Sequence, residues 1–425
     1  MIAINAAHFA DSGRPLCDLT QSYAPVGGGG IGTYLRQKRD YVLAHGDCRL
    51  VQIVPGPIDR VIENGRHVWV EIGAEQVRGS PNYRFITRTS AVREVLERYR
   101  PQIIESQCPW VLPWTAINYR RAHPDTALVA GYHTDFPNTH VYRVGASLFG
   151  DFVARGLRRL SASYAEMTYR EFDRVYTLGP DMRSVLTDYG VRHVDVLSLG
   201  VDAATFHPGR RVPGLRAELG LPGTGPLLMY AGRLDNEKRA DRLLAMFRAL
   251  PADVGASMVL IGDGKLRDSL ADDARGLPVV LPGYCADRVE LARLLASADI
   301  YVSAMADETF GLSVLEAQAC GLPVVGFASG AMVQRVPPGL GELVALDDVA
   351  AMARAVVSVW QRGAAAIGAR ARAHVTAHFS WDQTFATLFN DVYPRALAAS
   401  RRRRDRARWF RRGGAVPVLA GQRVG

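Results

Sequence analysis

Two glutamates eight residues apart, Glu308 and Glu316 in "DETFGLSVLEA", form the pair of residues in this chain best suited to chemistry. A helix beginning near Phe310-Gly311 leaves Glu308 in the preceding loop and places Glu316 about two turns in, so both can look into one mouth. A carboxylate accepts hydrogen bonds and donates none, which suits it to pairs of sugar hydroxyls, one acid for a hexose and the other for a ribose. Between them the N–H groups of Phe310, Gly311 and Leu312 form an anion cradle at the helix start. The plain alternative makes Glu308 a dipole-favouring loop acid and Glu316 a surface acid. Against it, Glu316 runs into the apolar "AQACGLPVV", where a glutamate needs a partner or a ligand.

Other segments carry weaker signals. In "YAGRLDNEKRADRLL" Arg233 and Lys238 lie between an apolar run and a helical one, and two such cations suit a diphosphate as well as they suit solvent. "IGDG", residues 261–264, is a tight turn of a common kind. "APVGGGGIGTYLRQKRDYVLAHG" puts four glycines ahead of an amphipathic helix, which lets backbone approach a ligand closely or simply makes a flexible link. His133 and Asp135 follow the apolar run in "TALVAGYHTDFPNTH"; taken alone, a histidine there is more often structural.

These residues need a scaffold, and the rest of the chain supplies one. Strand-length apolar runs alternate with helical periods: "RLVQIV", "QIIES", "TALVAGY", "RVYTL" and "VDVLSL", then "PLLMYAG", "SMVLIGDG", "LPVVLPG", "DIYVSA" and "LPVVGF". Alternation of this kind predicts parallel sheets joined by crossover helices. "VIENGRHVWVEI" reads as a hairpin turning at Asn64-Gly65. Proline and glycine thicken over 199–226, which divides the α/β chain into two doubly wound Rossmann-like domains with a cleft between them. The expected bounds are 1–203, 204–380, a closing helix at 381–400 returning to the first domain, and a flexible basic tail at 401–425.

A chain of 425 residues that is 48% hydrophobic can bury a sizeable core. It holds no apolar run of membrane-spanning length, and its start lacks the pattern of a signal peptide, so a cytoplasmic protein is expected. Five scattered cysteines suggest neither a disulfide framework nor a zinc site. Net charge is +9, but residues 401–425 hold nine arginines against one aspartate. The body is close to neutral and offers no electrostatic reason to expect nucleic acid.

Taken together, "AGRLDNEK", "VLIGDG" and "SADIYVSAMADETFGLSVLEAQACGLPVVGF" resemble the donor domain of the family-four retaining glycosyltransferases, in order and spacing across most of residues 226–330. The resemblance implies the GT-B fold. It also implies a nucleotide-sugar donor, with Arg233 and Lys238 on the diphosphate, Glu308 on the transferred sugar and Glu316 on the nucleotide ribose. It makes Gly29, Gly30 and Gly32 candidates for a loop closing over the donor. His133 becomes a candidate catalytic contact to the sugar, Asp135 an acceptor contact, and the loop at Gly283-Tyr284 the place where the base is chosen. Where many members have a glycine pair and an acid, this chain reads "ASGAMVQRVPPGLGELV", so the loop near Gly330 is expected to shape the donor site differently.

"YHTDFP" is similar to the subset acting on lipids, including mannosyl- and sulfoquinovosyltransferases. The expected activity is therefore metal-independent, retaining transfer of a hexose, first mannose from GDP-mannose, to a lipid or lipid-linked acceptor, with no cofactor. The family chemistry is a same-face reaction in which the leaving phosphate helps deprotonate the acceptor; no Asp-x-Asp metal signature stands in a plausible place. The arginines and aromatics of 401–412 suit the anionic inner face of a membrane. Two rivals remain: a transferase using a UDP-sugar and a soluble acceptor, and a non-catalytic binding protein whose arginine tail holds a polyanion.

Overall fold

The computed structural model describes residues 14–21, 23–24, 29–77, 80–222 and 224–411. Its contacts divide into two units. Unit 1 comprises Met1–Tyr23, Lys38–Val196 and Ala386–Gly425, and unit 2 comprises Ala24–Gln37 and Leu197–Phe385.

Unit 1 is built on strands β1 (Leu16–Leu19), β2 (Leu50–Gly56), β3 (Arg60–Asn64) and β4 (His67–Gly73), a separate hairpin β5 (Glu75–Val77) and β6 (Ser80–Phe85), and β7 (Ile103–Ser106), β8 (Ala127–Tyr132), β9 (Arg174–Thr177) and β10 (Val194–Val196). Its main sheet runs β10-β9-β8-β7-β1-β2-β4-β3. All pairings are parallel except β3 with β4, which turn at Gly65 with φ +57 as the hairpin signal foretold. Central parallel strands are covered on both faces, and β2 is accordingly buried at every position. Strand β1, "LCDL", is equally buried but has no counterpart in the sequence reading, because aspartate is depleted in strands. Asp18 is tolerated there because Lys38 reaches it from a helix with its own ammonium fully buried.

Unit 2 has β11 (Leu227–Ala231), β12 (Ser257–Ile261), β13 (Val279–Gly283), β14 (Ile300–Ser303), β15 (Val324–Phe327) and β16 (Gly341–Val344) in the order β13-β12-β11-β14-β15-β16, all parallel. The chain goes outward from β11 to one edge, then restarts beside β11 with β14. Loops after β11 and β14 therefore diverge and leave a crevice at the carboxyl ends of the strands. In unit 1 the same reversal falls between β1 and β7.

Six helices bear on function: α1 (Gly29–His45), α2 (Arg143–Phe149), α3 (Asp151–Tyr169), α4 (Arg288–Ala296), α5 (Leu312–Ala319) and α6 (Tyr393–Arg411). Two domain expectations change. Residues Ala24–Gln37 group with unit 2 rather than with a first domain of 1–203, and the contact responsible is close: a Cβ on Gly30 would lie 3.2 Å from Leu312 Cδ1. Residues 401–411 are not a flexible tail. They continue α6, held by ion pairs from Arg403 to Asp173 and from Arg404 to Asp125 (2.7 Å). The remainder, 412–425, lies outside the described residues. All five cysteines are free, and all but Cys285 are buried. Among the described residues no helix is long and apolar enough to cross a membrane.

Candidate active site

The crevice of unit 2 collects the cations and one glutamate that the sequence singles out. After β11 the chain turns at Gly232, and the buried Tyr230 hydroxyl donates to Arg233 O at 3.0 Å. Lys238 N–H donates to Asp235 Oδ1 at 2.9 Å, which closes the loop. From there Lys238 Nζ reaches Glu308 Oε2 at 3.3 Å, across the switch between β11 and β14. Glu308 is buried, and its other oxygen, Oε1, accepts the Gly311 N–H at 3.1 Å. Gly311 caps α5 at φ +85, a left-handed conformation that glycine adopts without strain. One member of the expected anion cradle is thus already engaged by Glu308. Arg233 points its guanidinium at Asp235 (2.5 Å) and Glu237 (2.6 Å) and remains half-exposed.

The loop that carries Glu308 is braced from behind. Ala331 N–H donates to Glu308 O at 2.8 Å, and a Cβ on Gly330 would come within 2.5 Å of that oxygen. Gly330 therefore shapes this site by close backbone approach. Arg335, buried, donates through Nε to Phe310 O at 2.8 Å and lies over the Phe310 ring at 4.0 Å. Burial pushes its pKa down to about 10, with Glu308 acting the other way, so it stays cationic at neutral pH. Nothing in "AMVQRV" announces this role. The glycines of "IGDG" also have a structural purpose: a Cβ on Gly262 would lie 1.8 Å from Gly232 O and one on Gly264 2.4 Å from Leu234 O. They let the loops after β11 and β12 run against each other. Gly262 N–H in turn donates to Gly283 O at 2.9 Å, while Tyr284 beside it is exposed.

Glu316 stands on α5, buried, with its Oε1 2.5 Å from Arg288 of α4. Arg288 also lies over the Phe206 ring at 4.7 Å. Burial raises the Glu316 pKa, and Arg288, with Arg36 further off, pulls it back. Glu316, Arg288 and Arg36 line a pocket together with Thr33, Asp202, Leu312 and Trp381. Gly29, Gly30 and Gly32 open α1 at this place: Gly30 touches Leu312, and a Cβ on Gly32 would meet Arg36 at 3.6 Å. Unit 2 thus brings the glycine segment, α5 and Glu316 together. Arg288 was missed in the sequence because its partner is distant along the chain.

His133 and Asp135 belong to unit 1, just after β8. His133 Nε2 bonds Gln107 Oε1, and Gln107 donates to Glu105, so the ring proton sits on Nε2. Burial pushes the imidazole pKa down to about 4, against Glu105, which leaves the ring neutral at pH 7. Room for this arrangement comes from Gly131, where a Cβ would fall 2.5 Å from Gln107 Oε1 and 2.6 Å from His133 Nε2. Asp135 has an internal set of donors, Tyr189 (3.0 Å), Tyr132 (3.4 Å) and Asn138, and so pins the turn after His133.

Two Rossmann-like units, one presenting a cation–carboxylate pair and a glycine-led helix at its switch point, define the GT-B class of glycosyltransferase. Comparison with known proteins makes this specific: the chain belongs to the family-four glycosyltransferases. Residues 28–205 match the family described as Glycosyltransferase Family 4, and residues 225–362 the one described as Glycosyl transferases group 1. It is 32% identical over 347 residues to the GDP-mannose-dependent alpha-(1-6)-phosphatidylinositol dimannoside mannosyltransferase of Mycobacterium tuberculosis, covering 79% of this chain and 85% of that one. It is also 32% identical over 319 residues to a glycogen synthase of the same species, covering 72% and 71%. Among solved structures it resembles sucrose-phosphate synthase of Thermosynechococcus elongatus (TM-score 0.73, 22% identity, 91% of this chain and 100% of that one). Anabaena HepE, solved with UDP and glucose, is similar at TM-score 0.67 and 16% identity, over 89% and 99%. The fold and the enzyme class expected from the sequence both hold.

Proposed function

We propose that this glycosyltransferase moves mannose from GDP-mannose to a lipid or lipid-linked acceptor, with retention and without a metal, at the cytoplasmic face of a membrane. The observation that carries the reading is the Lys238–Glu308–Gly311 constellation at the switch point of unit 2. In it, Glu308 holds hydroxyls of the transferred sugar while Lys238 and Arg233 take the charge that grows on the departing diphosphate. Arg233 is half-exposed, and its pair with the exposed Glu237 is of the weak surface kind that a diphosphate contact can replace. Glu316 receives the ribose. Neutral His133, its Nε2–H engaged by Gln107, offers Nδ1 as an acceptor to a hydroxyl of the sugar. The likeness to a mannosyltransferase that uses GDP-mannose supports the choice of donor and of a lipid acceptor. A second reading, glucosyl transfer from a UDP-sugar to a soluble acceptor, draws support from the likeness to glycogen synthase.

A donor panel separates the two. Purified protein with a membrane lipid extract and EDTA is expected to release GDP from GDP-mannose and to leave UDP-glucose intact. Release of UDP with a soluble acceptor would select the second reading. Silence from every donor, with and without divalent cations and with either acceptor type, would reject transfer and favour a binding protein.

The Glu316 assignment has its own test. Removing Arg288 leaves a buried carboxylate without its cation, so its pKa rises further and it holds a proton to higher pH than in the parent. Arg288→Ala is expected to raise the donor KM about tenfold, corresponding to roughly 1.4 kcal/mol, with kcat nearly unchanged. The defect should be larger at pH 6 than at pH 8, because protonation turns one of the two accepting oxygens into a donor. A KM equal to that of the parent at both pH values would separate Glu316 from donor binding.

A further inference from the structure

Helices α2 and α3 form a pair on unit 1 whose outer side is unusual for a protein surface. Gly145 of α2 lies against Ala154 of α3, where a Cβ would meet Ala154 Cα at 3.4 Å, and the inner side of α3 is buried through Ala154, Ala165 and Tyr169. Outward stand Leu148, Phe149, Phe152 and Leu160, exposed by 66%, 64%, 85% and 70%. Isolated apolar residues on a surface need no explanation, but four large ones on one helical pair mark an interaction surface. Phe152 and Leu160 are eight residues apart and so fall on one side of α3, the side opposite Ala154 and Ala165.

Charge says what covers this face. Residues 143–160 carry four arginines, Arg143, Arg155, Arg158 and Arg159, and one acid, Asp151. Arg159 sits within the same angular sector as Phe152, and Arg155 at its edge. Asp151 spends its charge on Arg155 at 3.2 Å. An apolar tip ringed by arginine repels a second copy of itself, since the same cations would be brought together in the contact. It fits a surface that is apolar in depth and anionic at its boundary, where aromatic side chains enter the acyl region and guanidinium groups meet phosphates. The geometry points to the α2–α3 pair as the element that docks this enzyme on an anionic phospholipid membrane. This deepens, and rests on, the reading of a lipid acceptor. The arginine segment of α6, expected from sequence to do this, has Arg403 and Arg404 engaged with Asp173 and Asp125 and presents one exposed aromatic among its described side chains, Trp409.

The test is sedimentation of the full chain with phosphatidylcholine vesicles and with vesicles containing phosphatidylglycerol. The parent is expected to bind only the second kind. Phe149→Ser combined with Phe152→Ser should weaken that binding by at least about tenfold, and Arg155→Glu with Arg159→Glu should do the same in a salt-dependent way. Arg402→Ala with Arg406→Ala and Trp409→Ala should leave it nearly intact. Turnover of GDP-mannose with a detergent-solubilised lipid acceptor is measured for each variant and should stay at the parental rate, because none of the substituted residues is a candidate donor or catalytic residue. Vesicle binding retained in the Phe149/Phe152 variant, lost only in the α6 variant, or absent in the parent overturns the docking assignment. A parent that sediments as a dimer which those serines dissociate overturns it as well, in favour of self-association. Detergent-phase turnover reports separately on the lipid acceptor, so a failed docking surface and a failed acceptor reading give different patterns.

Discussion

Glu308→Gln should lower kcat by two to three orders of magnitude, about 100- to 1,000-fold, while the protein stays folded. The carboxylate in the crevice serves two donors at once, Lys238 Nζ at 3.3 Å through Oε2 and Gly311 N–H at 3.1 Å through Oε1. An amide keeps one acceptor oxygen and turns the other position into a donor. Whichever way it turns, either Lys238 or the Gly311 N–H faces another N–H. In the reading above, the same change takes a negative charge from beside a sugar that becomes oxocarbenium-like as its bond to the diphosphate breaks. Binding of the ground-state donor should suffer less, so the loss appears in kcat more than in KM. Single-turnover nucleotide release, with circular dichroism and a thermal melt on the same sample, measures it. A variant that keeps more than a third of parental kcat would show that Glu308 is a structural cap for α5 and no more.

Lys38→Met should destabilise unit 1 by about 3–5 kcal/mol, because it strands two buried carboxylates. Lys38 Nζ pairs with Asp18 and with Glu105 at 3.2 Å, all three side chains having at most 1% exposure. Glu105 is further held by the hydroxyls of Tyr176 (2.9 Å) and Tyr393 (2.5 Å), and Asp18 by Gln52 (2.9 Å). With Gln107 and His133 at one end and His67, 3.0 Å from Gln52, at the other, this makes one hydrogen-bonded ladder across β4, β2, β1, β7 and β9. Burial raises the pKa of Asp18, to about 6, with Lys38 opposing; the two carboxylates in turn hold Lys38 above its ordinary value against its own burial. Without Lys38 the Asp18 pKa rises further in the folded state. A carboxyl raised on folding binds protons more readily folded than unfolded, so its effect is least harmful at low pH and worsens as pH rises through the folded value. The melting temperature of Lys38→Met should therefore fall on the order of 10 °C at pH 8 and by less at pH 5. Addition of Asp18→Asn should recover part of the loss. A melt within 2 °C of the parent at pH 8 would mean, by the scaling of about 2–4 °C per kcal/mol, that water or a shifted side chain already compensates the pair.

The sequence by itself determined the α/β class, the strand runs of the second half, the hairpin at Asn64-Gly65 and the family. These rest on local order, namely apolar periodicity, turn residues and motifs within one strand–loop–helix segment, and locality is what a linear text preserves. Arg233, Lys238, Glu308 and Glu316 could be singled out as candidates for the same reason, since each lies in or beside such a segment. What depends on residues far apart in the chain was decided only by the tertiary structure. Strand "LCDL" could not be read because its Asp18 looks wrong for a buried strand until Lys38 is brought to it. Arg335 behind the Glu308 loop, Arg288 on Glu316, and Gly131 making space for His133 and Gln107 are contacts between separate elements with no periodic trace. The tail shows the same limit: composition reads 401–411 as a solvated charge run, and only the positions of Asp125 and Asp173 turn it into the end of a docked helix. Paired charges are free to be distant in sequence because attraction depends on separation in space, and that separation is set when the sheets close.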